Sequence, residues 1–203
     1  MSRATQRRVV IIDNGGANTA SLQFALERLQ CAATLSADFD RIQAATHVIL
    51  PGVGAAADSM QRLRARGLDR LLPTLEQPVL GICLGMQLLY EASEEGDTRC
   101  LGVIAGTARR LAAAQGRPVP HMGWNTLAMN QESPLLRGLR SGVRAYFVHS
   151  YAVPVGAETI ASSDYGEPFS AVVAWRNWFG TQFHPERSSA IGAEVLSNFL
   201  RTG

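Results

Sequence analysis

Cysteine is scarce in this chain of 203 residues, and the three present, Cys31, Cys83 and Cys100, are odd in number and far apart. None belongs to a short C-x-x-C pair, which excludes the common zinc-binding spacings. Reduced thiols in a cytoplasmic protein are the expectation. Long apolar runs are missing as well. The N-terminal MSRATQRR leads into only VVII before Asp13, short of the roughly 7–15 apolar residues of a signal-peptide core. No run approaches the roughly 20 residues that span a membrane, so a soluble protein is expected. Neither sign of charge accumulates. The formal net charge is +2 and the arginines are scattered, so no basic stripe marks a nucleic-acid footprint. No loop has the G-x-x-x-x-G-K-[ST] form of a nucleotide-phosphate cradle. Internal repeats, linkers and low-complexity segments are absent too.

What remains is ordinary material for a packed core. Apolar residues make up 46% and charged residues 18%, a balance that suits a globular chain and neither a disordered nor a fibrous one. The length fits a single domain over residues 1–203. Arg8 to Asp13 (RVVIID) is a β-branched run that stops at the turn residues NGGAN, and Thr19 to Gln30 places Leu22, Ala25, Leu26 and Leu29 at helical spacing. Strands follow near Ala33 to Ser36 and at His47 to Leu50, then a helix over Ala55 to Leu72, a fourth strand over Pro78 to Cys83 and a helix over Leu84 to Ala92. This alternation predicts an α/β fold with a mostly parallel central sheet flanked by helices. From about residue 102 the pattern becomes one of short alternating runs, AYFVHSYAV, ETIASSD, SAVVAW and NWFGTQF, before a closing helix at Ser189 to Arg201. That predicts an antiparallel extension in the C-terminal half.

The stretch PVLGICLGMQLL at 78–89 carries the chemistry. Gly81 and Gly85 flank Cys83 at two residues on either side, the G-x-C-x-G form of a nucleophile elbow, with a strand before it and a helix after it as the motif requires. Such a turn sets the thiol at the positive end of the following helix, which favours thiolate. It also aims the Leu84 backbone N–H at the same place, and one oxyanion donor of this kind is typically worth about 3–4 kcal/mol. The alternative is a small apolar residue in a buried strand, where most free cysteines are found. Cys31 and Cys100 lack the glycines and read as structural.

A thiol nucleophile needs a base, and four histidines are available: His47, His121, His149 and His184. His184 stands in GTQFHPERS, where Pro185 fixes the backbone and the alternation of an extended segment would let Glu186, two residues on, orient the imidazole. Taken alone, H-P-E is also an ordinary surface turn. The glycine-rich PGVG at 51–54 follows the third strand directly, and a turn there can direct N–H groups into the crevice beside the nucleophile.

GICLGMQLL together with GTQFHPERS resembles the class I (triad) glutamine amidotransferases, whose Cys-His-Glu triad hydrolyses glutamine to glutamate and ammonia. LPGVGAA at 50–56, PHMGWN at 120–125, YFVHSYAVP at 146–154 and YGEPFSA at 165–171 narrow the likeness to the glutaminase subunits of imidazole glycerol phosphate synthases, from about Val9 to Leu200. The resemblance implies Cys83 as nucleophile, His184 as general base and acid, and Glu186 as its orienting carboxylate. It places Gly52, Val53 and Leu84 around the oxyanion, and it assigns Gln87 with the backbone around Ser150 and Tyr151 to the substrate glutamine. His149 becomes a wall of the site and not a second base. The implied partner is a cyclase subunit with a (β/α)8 barrel, in a heterodimer that turns a phosphoribosyl-formimino carboxamide nucleotide intermediate into imidazole glycerol phosphate. Asn18, Trp124, Tyr146 and Arg187 match its interface and hinge. No metal or organic cofactor is implied, and neither nucleic acid nor membrane is a partner. The competing expectations are a paralogue feeding another synthase and a non-catalytic binding module; the complete triad argues against the second.

Overall fold

The β-branched residues of the first strand serve two cores at once. Val9 and Ile11 belong to one apolar cluster, with Leu22, Leu26, Phe147, Phe183 and Phe199. Val10 and Ile12 belong to the other, with Ile42, Met60, Leu63 and Leu72. This is the period of two expected of a strand buried on both faces. The computed structural model describes residues 7–15 and 19–203.

In chain order the first half runs β1 (Val9–Ile12), α1 (Ala20–Arg28), β2 (Ala33–Ser36), α2 (Phe39–Gln43), β3 (His47–Gly52), α3 (Ala56–Ala65), α4 (Leu68–Leu71), β4 (Val79–Cys83) and α5 (Leu84–Gln87). The second half adds β5 (Tyr90–Ser93), β6 (Thr98–Arg99), β7 (Ile104–Arg110), β8 (His121–Thr126), β9 (Ala128–Met129), β10 (Arg144–His149), β11 (Tyr151–Ala152), β12 (Thr159–Asp164), β13 (Pro168–Trp175), β14 (Trp178–Thr181) and α6 (Ser189–Phe199). The main sheet has the order β2-β1-β3-β4-β14-β13-β12-β9. Its first five strands are mutually parallel, and β13, β12 and β9 continue it antiparallel. The predicted α/β architecture with an antiparallel C-terminal extension is the observed one. A ribbon of β8 and β10 and a sheet of order β11-β7-β5-β6 complete it.

Three local expectations change. The helix predicted over 55–72 is broken at Gly67, whose φ of +70° ends one helix and opens the next. The helix predicted over 84–92 is a single turn. Leu88, Leu89 and Tyr90 are 0%, 0% and 3% exposed, so no side of this segment faces water, and from Tyr90 the chain instead pairs in parallel with β7. The strand partner offered by β7 decides against a longer helix. Lastly, NWFGTQF is antiparallel to β13 as expected but runs parallel to β4 on its other edge, with Trp178 opposite Val79 and Thr181 opposite Ile82. That register delivers the end of β14 beside the end of β4.

Glycines fit the β4–α5 turn against β3. A Cβ on Gly85 would lie 1.9 Å from the Leu50 carbonyl oxygen, and one on Gly52 would lie 2.5 Å from the Gly85 nitrogen. Both neighbours are backbone and cannot rotate away. Gly85→Ala is expected to destabilise the chain by about 3 kcal/mol or more, a fall in melting temperature of roughly 6–12 °C for a chain of this size. An unchanged melting temperature would mean that β3 and the turn separate easily.

Candidate active site

Cys83 closes β4 at φ +54° and ψ −111°, a region that non-glycine residues rarely occupy and that costs of order 1–3 kcal/mol. The packing of the flanking glycines holds it there. Its side chain is buried, with Sγ 3.7 Å from the Val148 carbonyl oxygen and 3.8 Å from Gln182 Nε2. The helix behind it has only four residues, so the macrodipole expected from the sequence is a minor influence. The positive neighbour of Cys83 is a side chain instead.

That side chain is His184, which leaves β14 with its N–H donating to the Tyr146 carbonyl at 3.0 Å and its own carbonyl accepting from Ser188 Oγ at 2.7 Å. Pro185–Arg187 forms a 3-10 turn, not the extended segment expected. The turn folds Glu186 back, so that His184 Nδ1–H donates to Glu186 Oε1 at 2.8 Å. The two side chains are 8% and 11% exposed, and Nε2 remains for Cys83. Burial alone would lower the His184 pKa, but its hydrogen bonds to Cys83 and Glu186 and their negative charge outweigh burial and raise it to about 10.

Cys83 and His184 open onto a cavity of about 350 Å³. Val53, Leu84, Gln87, Ser150 and Tyr151, which the resemblance assigns to the oxyanion and the substrate, are among the residues that line it. Gly52 does not line it; it sits behind, where its missing side chain lets Leu84 and Gly85 approach. Gln87 is 3% exposed, and its Nε2 donates to the Tyr151 carbonyl at 2.8 Å and to Gln182 Oε1 at 3.0 Å. Gln182 and Glu95 were missed. Gln182 stands inside GTQFHPERS, two residues before His184, and alternation along a strand end was the signal for it. Glu95 comes from the β5–β6 turn, lines the cavity and accepts from the Ala56 N–H at 2.8 Å; nothing in its local sequence points to the site.

Residues 10–202 match the family model described as glutamine amidotransferase class-I. The chain belongs to this family. Among curated relatives, the imidazole glycerol phosphate synthase subunit HisH of Xanthomonas axonopodis pv. citri (strain 306) is 54% identical over 95% of this chain and 96% of its own length. The corresponding subunit of Vibrio cholerae serotype O1 is 48% identical over 96% of this chain and 98% of its own length. Of solved structures, a GMP synthase protein from Thermoplasma acidophilum superposes with a TM-score of 0.73 at 19% identity, covering 96% of this chain and 92% of that one. PurLQS from Thermotoga maritima gives 0.66 at 20%, covering 96% and 98%. These two likenesses speak for the fold.

In this class-I glutamine amidotransferase Arg187 lines the cavity, and Tyr146 and then Trp124 follow it in ring contact. Trp124 is 45% exposed, so it is no core residue. Its ring lies edge-on to Tyr146 at 6.0 Å, and the Arg187 guanidinium stands over the Tyr146 ring at 4.7 Å. Met122, 64% exposed, shares the outward face of β8 with Trp124. Asn18 lies outside the described residues. His149 forms part of the cavity wall, and burial lowers its pKa to about 3. Its Nδ1 donates to the Tyr151 carbonyl and its Nε2 lies 3.0 Å from His121 Nδ1, so both ring nitrogens are already engaged. Among the described residues no helix is long and apolar enough to cross a membrane.

Proposed function

We propose that the chain is the glutaminase subunit of an imidazole glycerol phosphate synthase, hydrolysing glutamine to glutamate and ammonia for a (β/α)8-barrel cyclase in histidine biosynthesis. The observation that carries this is that Cys83 and His184 line one cavity, with Glu186 bonded to His184 Nδ1, in a chain 54% identical to a HisH subunit. Residues 1–203 act as one cytoplasmic amidotransferase domain, supported by a single eight-stranded sheet with a core on each face and by three free thiols.

Glutamine enters with its side-chain amide toward Cys83 and its α-ammonium toward Glu95, a carboxylate on the cavity wall. Ser150 and Tyr151 bound its other side. Cys83 attacks the amide carbon as thiolate, its proton held by His184. The carbonyl oxygen becomes an oxyanion received by the N–H groups of Leu84 and Val53, with Gly52 leaving room for the turn. His184 then gives its proton to the departing nitrogen, and ammonia leaves. The resulting thioester no longer carries negative sulfur, so one of the causes that raise the His184 pKa is gone and burial pulls it down. The same imidazole is thereby converted from acid to base for the water that releases glutamate. Glu186 keeps Nδ1 protonated throughout.

The exposed Met122, Trp124 and Arg187 beside the mouth suit a partner surface. Val53 is 40% exposed and Gly54 has φ +85° with open space around it, so the oxyanion turn is free to change when a partner docks. Glutamate release by the chain alone, and with the cyclase plus its nucleotide ligand, tests the assignment. A rise of at least about tenfold in the complex, 1.4 kcal/mol of barrier, is expected. Equal high activity with and without the cyclase would point to a stand-alone hydrolase.

A further inference from the structure

A second pair of histidines lies just beneath the cavity. The β8–β10 register sets His121 directly opposite His149, and both are buried. His149 Nδ1 is 2.8 Å from the Tyr151 carbonyl oxygen. A carbonyl only accepts, so Nδ1 carries the hydrogen and Nε2 is bare. His121 Nδ1, 3.0 Å from that bare Nε2, must donate. His121 Nε2 is then bare in turn and faces the Asn125 amide nitrogen at 3.4 Å, whose other hydrogen goes to the Asp164 carbonyl at 2.7 Å. Each ring has one permitted tautomer, and both ring donors point the same way, toward Tyr151.

The Tyr151 carbonyl therefore takes two donors, His149 from one side and Gln87 from the other. Gln87 continues to Gln182, and Gln182 to Cys83 Sγ. The rings stay neutral because burial lowers both, His121 to about 4 and His149 to about 3. Around His121 stand Tyr165, Phe147 and Phe169; the ionisable neighbours that act on His149 are His121 and then His184, and both lower it further.

We propose that His121 is a positioning residue for the glutamine pocket: by donating to Nε2 it locks the His149 ring in the orientation that aims Nδ1–H at the Tyr151 carbonyl, and so fixes that carbonyl and the Ser150–Tyr151 segment. This rests on the function proposed above, in which that segment bounds the substrate. Packing alone does not require histidine here, since an apolar ring would stack on Tyr165 and Phe147 equally well. An apolar ring would, however, leave His149 Nε2 a buried acceptor with no donor, and nothing on that edge would then hold the ring in the orientation that aims Nδ1–H at the Tyr151 carbonyl.

The test compares His121→Leu with His121→Asn in the complex with the cyclase, since the asparagine amide nitrogen occupies the place of Nδ1 and can still donate. His121→Leu is expected to raise KM for glutamine about tenfold, with kcat changed less, and His121→Asn to recover most of that loss. An unchanged KM in His121→Leu, or an equal loss in both variants, overturns the proposal. Should the leucine variant not fold, the asparagine variant and ¹⁵N spectra of the wild-type histidine rings decide: Nδ1–H tautomers for both His121 and His149 support the lock, and an Nε2–H tautomer at His149 overturns it. A wild-type complex without glutaminase activity would count against the proposed function, whereas the ring spectra test the lock independently of turnover.

Discussion

Cys83→Ala is expected to abolish glutamate release, by a factor of at least about 10⁴, with the fold intact. The activity falls because no other nucleophile reaches the amide: Cys31 and Cys100 are buried away from the cavity, and the imidazole of His184 is already committed to Glu186. The fold survives because the elbow is made by glycines 52, 81 and 85 and by the pairing of β4 with β3 and β14, none of which uses the thiol. Alanine keeps the left-handed strain at φ +54°, so the melting temperature moves little. Cys83→Gly removes that strain as well and should melt somewhat higher, by the equivalent of about 1 kcal/mol, while equally inactive. Steady-state assay of the two variants beside a thermal melt separates these effects. Ordinary turnover by either variant would remove Cys83 from the mechanism, and a collapse in melting temperature would mean that the thiol is part of the packing.

Much of this site was legible because its signals are local. G-x-C-x-G announces a turn that only small residues permit, and the distances around Gly85 give the reason. Glu186 orients His184 from two residues away, so a short string contains both, although a 3-10 turn and not an extended segment joins them. What the sequence did not disclose depends on distant packing. Glu95 reaches the cavity only because the β5–β6 turn lies against the start of α3. The strand at Tyr90–Ser93 replaces a predicted helix because β7, later in the chain, offers it a partner. The meeting of Cys83 with His184 is of the same kind: it follows from β14 inserting between β4 and β13, a placement that the alternation of NWFGTQF does not contain.

His184→Asn should lose glutamine-dependent turnover by about 10³–10⁴-fold, yet the complex with the cyclase should still use added ammonium salt at close to its normal rate. Asparagine is the informative choice because its amide nitrogen sits where Nδ1 was and can still donate to Glu186 Oε1, which preserves the Pro185–Arg187 turn and the backbone clamp to Tyr146 and Ser188. What it lacks is Nε2, and with it the group that holds the Cys83 proton and hands it to ammonia. Loss of the ammonium-driven reaction would mean that His184 also serves the partner, whereas retained glutamine turnover would place the base elsewhere. The same variant has a signature in stability. The folded-state pKa of His184 is raised, to about 10, above the ordinary value near 6.5, so the imidazolium stabilises the fold fully below about pH 6.5 and that contribution fades as pH climbs through 10. Wild type should therefore lose stability relative to His184→Asn between neutral and alkaline pH in parallel denaturant titrations. A constant difference across that range would show that His184 is neutral in the resting site, and the acid that protonates ammonia would then have to draw its proton from Cys83 during attack.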